Sequence, residues 1–560
     1  MFSVIYDRMT GNADFPENAF ENDDIIYVVD GEIETRENVA SLYAKMPFGE
    51  MIATFNGCFS IALFDKNKGE MYIGRDRLGA KQMYYAEKDS KIMISACFAP
   101  VFEFAGKGID KVAVQHYFTF QYVPEPMTVG EGVKALKLGH YARISDPDFS
   151  QVRFNTWKPA PVEGKDREEF KGEIREKLTN AVKKSLKGAK NPAAFLSGGL
   201  DSSILTAIAA KDFPEMTAYT IAFDIPGFSE AEVAAQSAKM YGIKHNVVRL
   251  NADDFRCAVP FAIKAMGVPI ADPSATAVSL IAKAAEGKCD VILSGEGSDE
   301  LWGGYHVYNP RGKVLKLMAL PGFIKNTVWA FASLLPDSMR GKDLLRRGCL
   351  PLEKRFVGNT FLFTEKEKKK LLKKFDSSVR FTDVTAPYYK EASGLSDMDK
   401  MQYVDTNLWL PGDIDVVCGK GCSERGLKCV TPFMDNEVTD LARTLTKDEK
   451  VSGAQNKIIL REAFGDLLTD EVRNGKKRGY PVPVRVWLAG TLNEWAAGVI
   501  RDGNVSEYID KKYALKLVEK CRKNPDDPLY YRKVWAIVVF CLWIKYCKDG
   551  AGDKKQRKES

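Results

Sequence analysis

The sequence predicts an α/β protein with two domains: a layered, β-rich domain over residues 1–155, and a parallel-sheet domain with a helical C-terminal half over residues 156–560. Three observations predict this arrangement. Short apolar runs between turn residues fill the first domain, and strand-like and helix-like segments alternate from about residue 190. After Tyr305 the strand patterns stop, and long helical patterns rich in Lys and Leu take over.

Size and composition narrow the class of protein. The chain has 560 residues, 45% of them hydrophobic and 28% charged, which is typical of an ordered globular protein with several domains. The net charge of +6 gives little support to a nucleic-acid partner. The longest apolar run, 534–544, is too short to span a membrane and predicts a buried helix. The first residues lack the pattern of a secretory leader, so we expect a cytoplasmic protein. The oligomeric state stays open.

The first domain is predicted from short apolar runs that Gly, Asn and Asp turns separate. Three of them are clear: 24–29, 58–64 and 69–74. Because no long helical pattern lies between these runs, we expect layered antiparallel sheets.

The boundary between the domains is predicted at a Pro-containing stretch over 157–161. Apolar residues then recur at three- and four-residue steps, which predicts an amphipathic helix: Phe170, Ile174, Leu178 and Val182. Beyond it, four strand-like runs with helical segments between them predict a parallel sheet: 193–196, 217–223, 245–250 and 290–293.

The segment Ser197-Gly198-Gly199-Leu200-Asp201-Ser202-Ser203 lies between the first of these strands and a helix. Glycines let the backbone turn its N–H groups inward, and a helix N-terminus adds positive potential, so the loop can hold a phosphate-like anion. It lacks the Gly-Lys-Ser/Thr sequence of a P-loop. The segment resembles the pyrophosphate-binding SGGxDS loop of the ATP pyrophosphatases, which cleave ATP between the α- and β-phosphates.

A second segment follows the strand at 290–293 and carries three acidic residues among small ones: Glu296, Asp299 and Glu300. Carboxylates at a strand's C-terminal end suit a Mg²⁺ site and a general base. The string from Leu293 to Tyr305 closely resembles the signature of the asparagine synthetase family. A later segment, Lys477-Arg478-Gly479-Tyr480-Pro481-Val482-Pro483, resembles that family's Lys-x-Gly-Phe-x-x-Pro segment, so the resemblance extends over most of the chain.

The resemblance implies a role for each matching position. ATP would be held by the following residues: Leu196, Ser197, Gly198, Gly199, Asp201, Ser202, Ser294 and Gly295. Asp201 and Asp299 would ligate Mg²⁺. Glu296 would take a proton from the attacking amine, and Lys477 would stabilise negative charge as the intermediates form. The resemblance also implies that Asp272-Pro273-Ser274 lies near the synthetase pocket. The same three residues are equally typical of an ordinary turn.

The family chemistry joins a carboxylate to AMP, with release of pyrophosphate, and an amine then displaces AMP. With ATP and Mg²⁺ as cofactors, the default reaction is the conversion of aspartate and ammonia to asparagine.

The β-rich domain resembles the family's Ntn-hydrolase-like glutaminase domain, most clearly over 73–85. Active members use a Cys at position 2 as the nucleophile, and this chain has Phe2. The family's Asn-Gly and Asp-Gly pairs are replaced by Asp30-Gly31 and Asn56-Gly57, and no Arg-Gly-Pro-Asp segment precedes Asp30. We therefore predict that this domain does not hydrolyse glutamine. The ammonia or another amine would come from outside the domain, and a separate glutaminase is one source.

A third departure lies between two segments that match the family, 410–414 and 432–435. In place of the usual Asp-Arg-Met-Ser-Met and Leu-Glu-x-Arg, the chain has 419–423 and 427–430, where a Glu to Lys change at Lys428 and an Arg to Val change at Val430 reverse or remove charges. The acceptor carboxylate is therefore open. Cys418, Cys422 and Cys429 lie here; without a Cys-x-x-Cys pair or nearby His, the sequence favours reduced, buried thiols over a zinc site.

Alternatives to an asparagine synthetase remain. The related β-lactam synthetases and lasso-peptide macrocyclases also carry an inert N-terminal domain and close an amide ring, which would make another carboxylate or a peptide the substrate. RNA-modifying enzymes share the SGGxDS loop, but the charge balance gives that class little support. A scaffold that binds ATP without turnover is the non-enzymatic alternative, and the retained charged residues argue against it.

Overall fold

The computed structural model describes residues 1–335, 339, 341–475 and 482–550. It confirms an α/β protein with antiparallel sheets in its N-terminal part and a parallel sheet farther along the chain. Lys477 lies outside the described residues, as do Tyr480 and Pro481 of the same segment.

Two antiparallel sheets form the N-terminal part. The first has the order β2-β1-β8-β7-β9 and contains β1 (Ser3–Asp7), β2 (Asn12–Asp14), β7 (Tyr84–Lys88), β8 (Lys91–Ser95) and β9 (Val133–Ala135). The second has the order β11-β10-β6-β5-β4-β3 and contains β3 (Phe20–Glu21), β4 (Ile25–Gly31), β5 (Phe59–Asp65), β6 (Glu70–Arg75), β10 (His140–Ile144) and β11 (Phe149–Arg153). Val4 and Tyr6 of β1 share a core with Met71 and Ile73 of β6, so the sheets pack face to face as predicted.

Four helices accompany these sheets: α1 (Val39–Tyr43), α2 (Phe48–Ala53), α3 (Phe98–Phe104) and α4 (Lys111–Phe120). Helix α4 packs against the C-terminal half of the chain. The Tyr117 hydroxyl donates to the Ala536 carbonyl at 2.8 Å, and the rings of Phe118 and Phe540 lie 5.5 Å apart. The N-terminal part therefore shares its apolar core with the rest of the molecule.

A five-stranded parallel sheet with the order β14-β13-β12-β15-β16 is the centre of the second part. Its strands are β12 (Pro192–Phe195), β13 (Thr217–Phe223), β14 (Lys244–Leu250), β15 (Val291–Leu293) and β16 (Lys428–Val430). The expectation that strands stop after Tyr305 is wrong, because β16 pairs with β15 and completes the sheet. With only three residues and a Lys and a Cys among them, β16 has no apolar run that could reveal it.

Helices cover both faces of this sheet. They are α5 (Arg167–Ser185), α6 (Leu200–Asp212), α7 (Ala231–Tyr241), α8 (Ala252–Met266), α9 (Ser274–Ala285) and α10 (Ser298–Trp302). Helix α5 buries Phe170, Ile174, Leu178 and Val182, as the periodicity predicts. Strand β13 lies on one side of β12 and β15 lies on the other. The loops that follow β12 and β15 therefore diverge at a topological switch point.

The rest of the described chain is mainly helical. It contains α11 (Lys313–Met318), α12 (Gly322–Leu334), α13 (Lys342–Cys349), α14 (Leu352–Arg355), α15 (Glu365–Leu371), α16 (Phe381–Glu391), α17 (Asp397–Asn407), α18 (Asp415–Ser423), α19 (Asn436–Arg443), α20 (Lys447–Lys450), β17 (Val451–Ser452), β18 (Gln455–Asn456), α21 (Ile458–Ala463), α22 (Asp470–Asn474), α23 (Val484–Ala489), α24 (Asn493–Asp502), α25 (Lys511–Lys523) and α26 (Pro528–Trp543). A π-helical turn, Leu410–Ile414, joins α17 to α18. Helix α26 is buried in the core, as predicted. Among the described helices, none has both the length and the apolar character to cross a bilayer.

Candidate active site

A cavity of about 870 Å³ opens at the switch point between β12 and β15. Its walls include the loops that follow these strands, the start of α9, and the segment from Asn456 to Arg461. The size is within the range of nucleotide and substrate sites. The cavity thus lies where a doubly wound sheet usually binds its ligand.

The loop after β12 forms a cradle with few side chains. Gly198 has a φ of 77°, and a Cβ there would lie 3.1 Å from the Glu230 carbonyl oxygen, so this turn requires glycine. The Ser202 hydroxyl accepts from the Ser197 N–H at 3.1 Å, and the Ser197 hydroxyl accepts from the Gly199 N–H at 3.2 Å. These bonds hold the turn over the first residues of α6.

Helix α6 begins directly behind this loop. Its N-cap residue is Gly199, whose lack of a side chain leaves the helix without a side-chain cap. The backbone N–H groups and the positive end of the helix dipole therefore face the cavity. A phosphate group is well suited to this position.

The loop after β15 comes close to the start of α6. Gly295 packs against Asp201, and the Ser298 hydroxyl donates to Asp201 Oδ1 at 2.7 Å. The Ser294 hydroxyl donates weakly to Glu296 Oε1 at 3.4 Å, and the Ser294 N–H donates to the Val430 carbonyl at 2.9 Å. Glu296 is thereby placed on the cavity wall, a few residues from Asp299.

Lys457 joins the two acidic loops. Its ammonium lies 2.7 Å from Asp201 Oδ1 and 2.7 Å from Asp299 Oδ1, and the residue is only 3% exposed. Lys457 has a φ of 56° at the start of α21, an uncommon conformation for a residue with a side chain. The turn aims the side chain into the cavity.

Gly304 makes room for this arrangement. A Cβ at Gly304 would lie 1.7 Å from Asp299 Oδ1 and 2.3 Å from Lys457 Cε, which no side chain could tolerate. The Asp299 carboxylate and the lysine are therefore packed against bare backbone.

The carboxylates of Asp201 and Asp299 suit a magnesium ion. Both border the cavity, and each pairs its Oδ1 with the Lys457 ammonium, so the other oxygen of each carboxylate would ligate the ion. Hard carboxylate oxygens, together with phosphate oxygens from a substrate, are the ligands that Mg²⁺ prefers. The residues present therefore fit the ion that the sequence implies.

The other end of the cavity is acidic and apolar. Asp272 and Glu296 lie on its walls with Trp409, Ile414 and Val417. Burial raises the pKa of Asp413 well above its usual range, and the neighbouring Asp272 carboxylate raises it further. Burial and the nearby negative charge therefore favour the neutral form of Asp413.

The structure brings nearly all the predicted site residues to one place. Ser197, Gly198, Gly199, Asp201, Ser202, Ser294, Gly295, Glu296 and Asp299 all border the cavity. Leu196 is fully buried and borders a small adjoining void of about 30 Å³. Lys477 cannot be placed, because it lies outside the described residues.

Sequence reasoning missed Lys457 and Arg461. Both line the cavity, yet each looks like an ordinary basic residue in a helical segment. Their four-residue spacing at the start of α21 is the one signal that could have suggested a shared face. The guanidinium of Arg461 donates to backbone carbonyls, among them those of Val472 and Gly475, so it fixes the cavity's rim.

In the N-terminal part, Phe2 and Asn56 are two positions where the sequence departs from the family pattern, and both make structural contacts. Phe2 is 5% exposed and belongs to the core between the two sheets. The Asn56 amide donates to Asp435 Oδ2 at 3.1 Å, and its carbonyl oxygen accepts from the Asn436 N–H at 3.1 Å. Asn56 is therefore occupied by contacts with the second part of the chain.

Comparisons with known proteins agree with this geometry. The asparagine synthase family model matches residues 173–545, and the glutamine amidotransferase domain model matches residues 33–155. The chain is 34% identical to asparagine synthetase (glutamine-hydrolysing) 1 of Bacillus subtilis, over 88% of this chain and 78% of that protein.

More distant relatives extend the family. Asparagine synthetase (glutamine-hydrolysing) 3 of Bacillus subtilis is 22% identical over 83% of this chain and 74% of its own length. Amidase chyE of Penicillium rubens is 24% identical over 90% of this chain and 81% of its own length. These matches agree with the acidic loops and the anion cradle of the site. The chain belongs to the asparagine synthase family and is an ATP-dependent ligase.

Proposed function

We propose that the protein is an AMP-forming amide ligase that does not use a glutaminase of its own. In this proposal residues 156–560 form the synthetase domain, and residues 1–155 form a degenerate amidotransferase domain that covers it. The observation that carries the proposal is the convergence of Asp201, Asp299 and Lys457 beside an uncapped helix N-terminus, in the cavity that Glu296 also borders.

The first step joins a carboxylate to ATP. The carboxylate oxygen attacks the α-phosphorus, the bond to the bridging oxygen breaks, and pyrophosphate leaves. The backbone N–H groups of the first turn of α6 would hold the departing phosphates. Mg²⁺, when bound by Asp201 and Asp299, would offset charge on the pyrophosphate. Lys457 would place a second positive charge beside the same group.

The second step forms the amide bond. An amine attacks the carbonyl carbon of the acyl-adenylate, the carbon–nitrogen bond forms, and AMP leaves. Glu296 is suited to accept the proton that the amine loses, because its carboxylate borders the cavity next to the phosphate cradle. Lys477 would stabilise charge on the intermediate, as the family resemblance implies.

Two contacts support a domain that does not hydrolyse glutamine. The aromatic ring of Phe2 fills the position of the family's nucleophile and is packed into an apolar core. Asn56 stands where relatives have a carboxylate that pairs with the ammonium of glutamine, and its side chain is engaged by Asp435 and Asn436. The amine would therefore be ammonia, or another amine supplied by a substrate or a separate protein.

Aspartate is the default acceptor, and one observation favours another carboxylate. The α-carboxylate of aspartate would need a positively charged partner. Among the described residues that line the cavity, the Lys and Arg side chains are those of Lys457 and Arg461, and both are engaged elsewhere. The end near Asp272 and Trp409 would accept an apolar or amine-bearing group. A ligase that closes a ring within such a substrate, like the β-lactam synthetases or peptide cyclases, is the second candidate.

Pyrophosphate release by the purified full chain tests the proposal. The protein is incubated with Mg-ATP and a panel of carboxylates that includes aspartate, apolar acids and amino-bearing acids, each with ammonium, with glutamine and with neither. We expect release with ammonium, or without any added amine for a substrate that cyclises, and no gain from glutamine beyond that of its contaminating ammonia.

Each result separates the alternatives. Release with aspartate and ammonium identifies an asparagine synthetase, and release with an amino-bearing acid alone identifies a cyclising ligase. Formation of glutamate from glutamine would contradict the inert N-terminal domain. A protein that binds ATP but releases no pyrophosphate with any member of the panel would point to the scaffold alternative.

A further inference from the structure

Three cysteine thiols converge beside the candidate active site. Cys418 and Cys422 lie one turn apart on the same face of α18, and Cys429 lies in β16. Their Sγ atoms all lie within 4.8 Å of one another, and the Cys418 and Cys429 sulfurs are 3.0 Å apart. The sequence spacing did not predict this meeting, because it depends on the tight turn between α18 and β16.

The cluster is withdrawn from solvent. Cys418 is 2% exposed and Cys422 is fully buried, while Cys429 is partly buried. On an adjoining face of α18, Gly421 packs closely against Val278 of α9. The backbone around the thiols is therefore held on two sides, so the three sulfurs form a preorganised group.

The three thiols are close enough to affect one another's pKa. Contact among the sulfurs, together with burial, raises the pKa of all three. The Glu296 carboxylate raises the pKa of Cys418 and Cys429 further. A positive ion at the centre of the cluster would reverse both effects, because it favours the thiolate form and is itself attracted by Glu296.

We propose that Cys418, Cys422 and Cys429 bind one thiophilic d10 metal ion of the Zn²⁺ class. Zinc–sulfur bonds of about 2.3 Å place three ligands roughly 3.8–4.0 Å from one another, so the observed sulfurs need only small shifts. Each thiol that becomes a ligand releases its proton to solvent. Three protein ligands leave a fourth position for water or another small ligand.

The position of the ion gives it a structural consequence. Cys429 pairs with Ile292 in the parallel register of β16 and β15, and the carbonyl of the next residue, Val430, accepts from the Ser294 N–H. The ion would therefore fasten α18 to the strand that supports the Ser294–Glu296 loop. Metal binding should stiffen the back wall of the cavity without touching ATP.

Metal uptake by the full chain tests the proposal. The protein is purified without oxygen in a phosphine reductant, stripped with a chelator and titrated with Cd²⁺ and with Zn²⁺. We expect one ion per chain, a sulfur-to-cadmium charge-transfer band in the ultraviolet, and a higher thermal unfolding midpoint. Cys418→Ser, Cys422→Ser and Cys429→Ser should each remove the band and the shift in midpoint.

The controls are two other cysteines. Cys289→Ser changes a partly buried thiol near the cluster, and Cys257→Ser changes an exposed one; both variants should keep one ion per chain. Absence of uptake by the reduced wild-type protein would overturn the proposal, and this result does not depend on any variant folding. Full retention of the charge-transfer band in Cys429→Ser would overturn it as well. So would a Cys418–Cys429 disulfide in the freshly isolated protein if the reduced form binds no metal.

Discussion

The cavity beside the parallel sheet and the region around Phe2 and Asn56 differ in what their side chains contact. At the end of β12 and β15, charged residues from three distant segments meet at hydrogen-bond distance in an open cavity. At the start of β1 and in the loop before β5, the corresponding N-terminal positions hold a buried ring and an amide bonded across the domain contact. In the first region the polar groups line an open cavity, whereas in the second a ring is buried and an amide is bonded to the rest of the chain.

The N-terminal part contributes packing and hydrogen bonds to the rest of the molecule. Phe2 strengthens the core between the two sheets, and Asn56 ties the N-terminal part to Asp435 and Asn436. Helix α4 adds an apolar contact with α26. These residues serve packing, so removal of residues 1–155 would expose a large apolar surface.

The largest effect is expected from the acidic pair in the synthetase cavity. Asp299→Asn would remove a carboxylate that contacts Lys457 and faces the phosphate cradle. Pyrophosphate release should fall about 10²- to 10³-fold, which corresponds to about 3–4 kcal/mol of lost transition-state stabilisation. Steady-state release rates at saturating Mg-ATP measure the effect.

The matched control is Asp290→Asn, at the opposite end of β15. Its carboxylate accepts from the Lys190 and Asn191 N–H groups and lies away from the cavity. Asp290→Asn should lower stability slightly and leave pyrophosphate release nearly unchanged. Equal losses in both variants would mean that Asp299 acts through the fold alone.

A second, smaller effect tests the structural role of the N-terminal part. His116 of α4 is 3% exposed, and burial, with the charge of nearby Lys368, lowers its pKa to about 4. The unfolded chain takes up a proton near its ordinary pKa of about 6.5, whereas the folded chain does not. Stability should therefore fall by about 2 kcal/mol between about pH 7.5 and about pH 5 through this group alone.

Denaturant unfolding of the wild type and His116→Gln at both pH values measures this contribution. The variant should lose that part of the pH dependence, because it has no group to protonate. An unchanged slope in the variant would show that groups other than His116 carry the acid sensitivity.

The smallest expected effect comes from restoring the family's carboxylate. Asn56→Asp would place a negative charge between Asp435 and Glu34, to which the Asn56 amide now donates at 3.1 Å in each case. The repulsion and two lost hydrogen bonds should lower the free energy of unfolding by about 1–2 kcal/mol at neutral pH. Asn67→Asp, whose amide donates to exposed Asp24, is the control and should change stability less. A more stable Asn56→Asp variant would contradict the proposed role of this contact.

The sequence predicted the sheet types, the position of α5 and the meeting of the two signature loops. These features follow from local patterns: a period of two or 3.6, and polar strings placed directly after apolar strands. Strand β16 was missed, because its place in the sheet depends on pairing with β15 and not on its own three residues.

Lys457 and the three converging thiols were missed for a related reason. Lys457 reaches the site through a left-handed backbone conformation that the adjacent sequence does not predict. It also lies far along the chain from Asp201. Cys418 and Cys429 meet only after α18 and β16 are packed side by side. Contacts across long sequence separations are fixed by tertiary packing, which local propensity does not record.

The absence of a side chain at Gly304 constrains the positions of Asp299 and Lys457 together. Because a Cβ at this position would overlap atoms of both residues, any replacement must displace the acid, the base or both. Substitutions at the acceptor end of the cavity can therefore be accepted one at a time. At the phosphate end, a substitution of Gly304 would require compensating changes at other positions. During evolution toward a new substrate, Gly304 would preserve the ATP-binding end of the cavity while residues at the acceptor end change specificity.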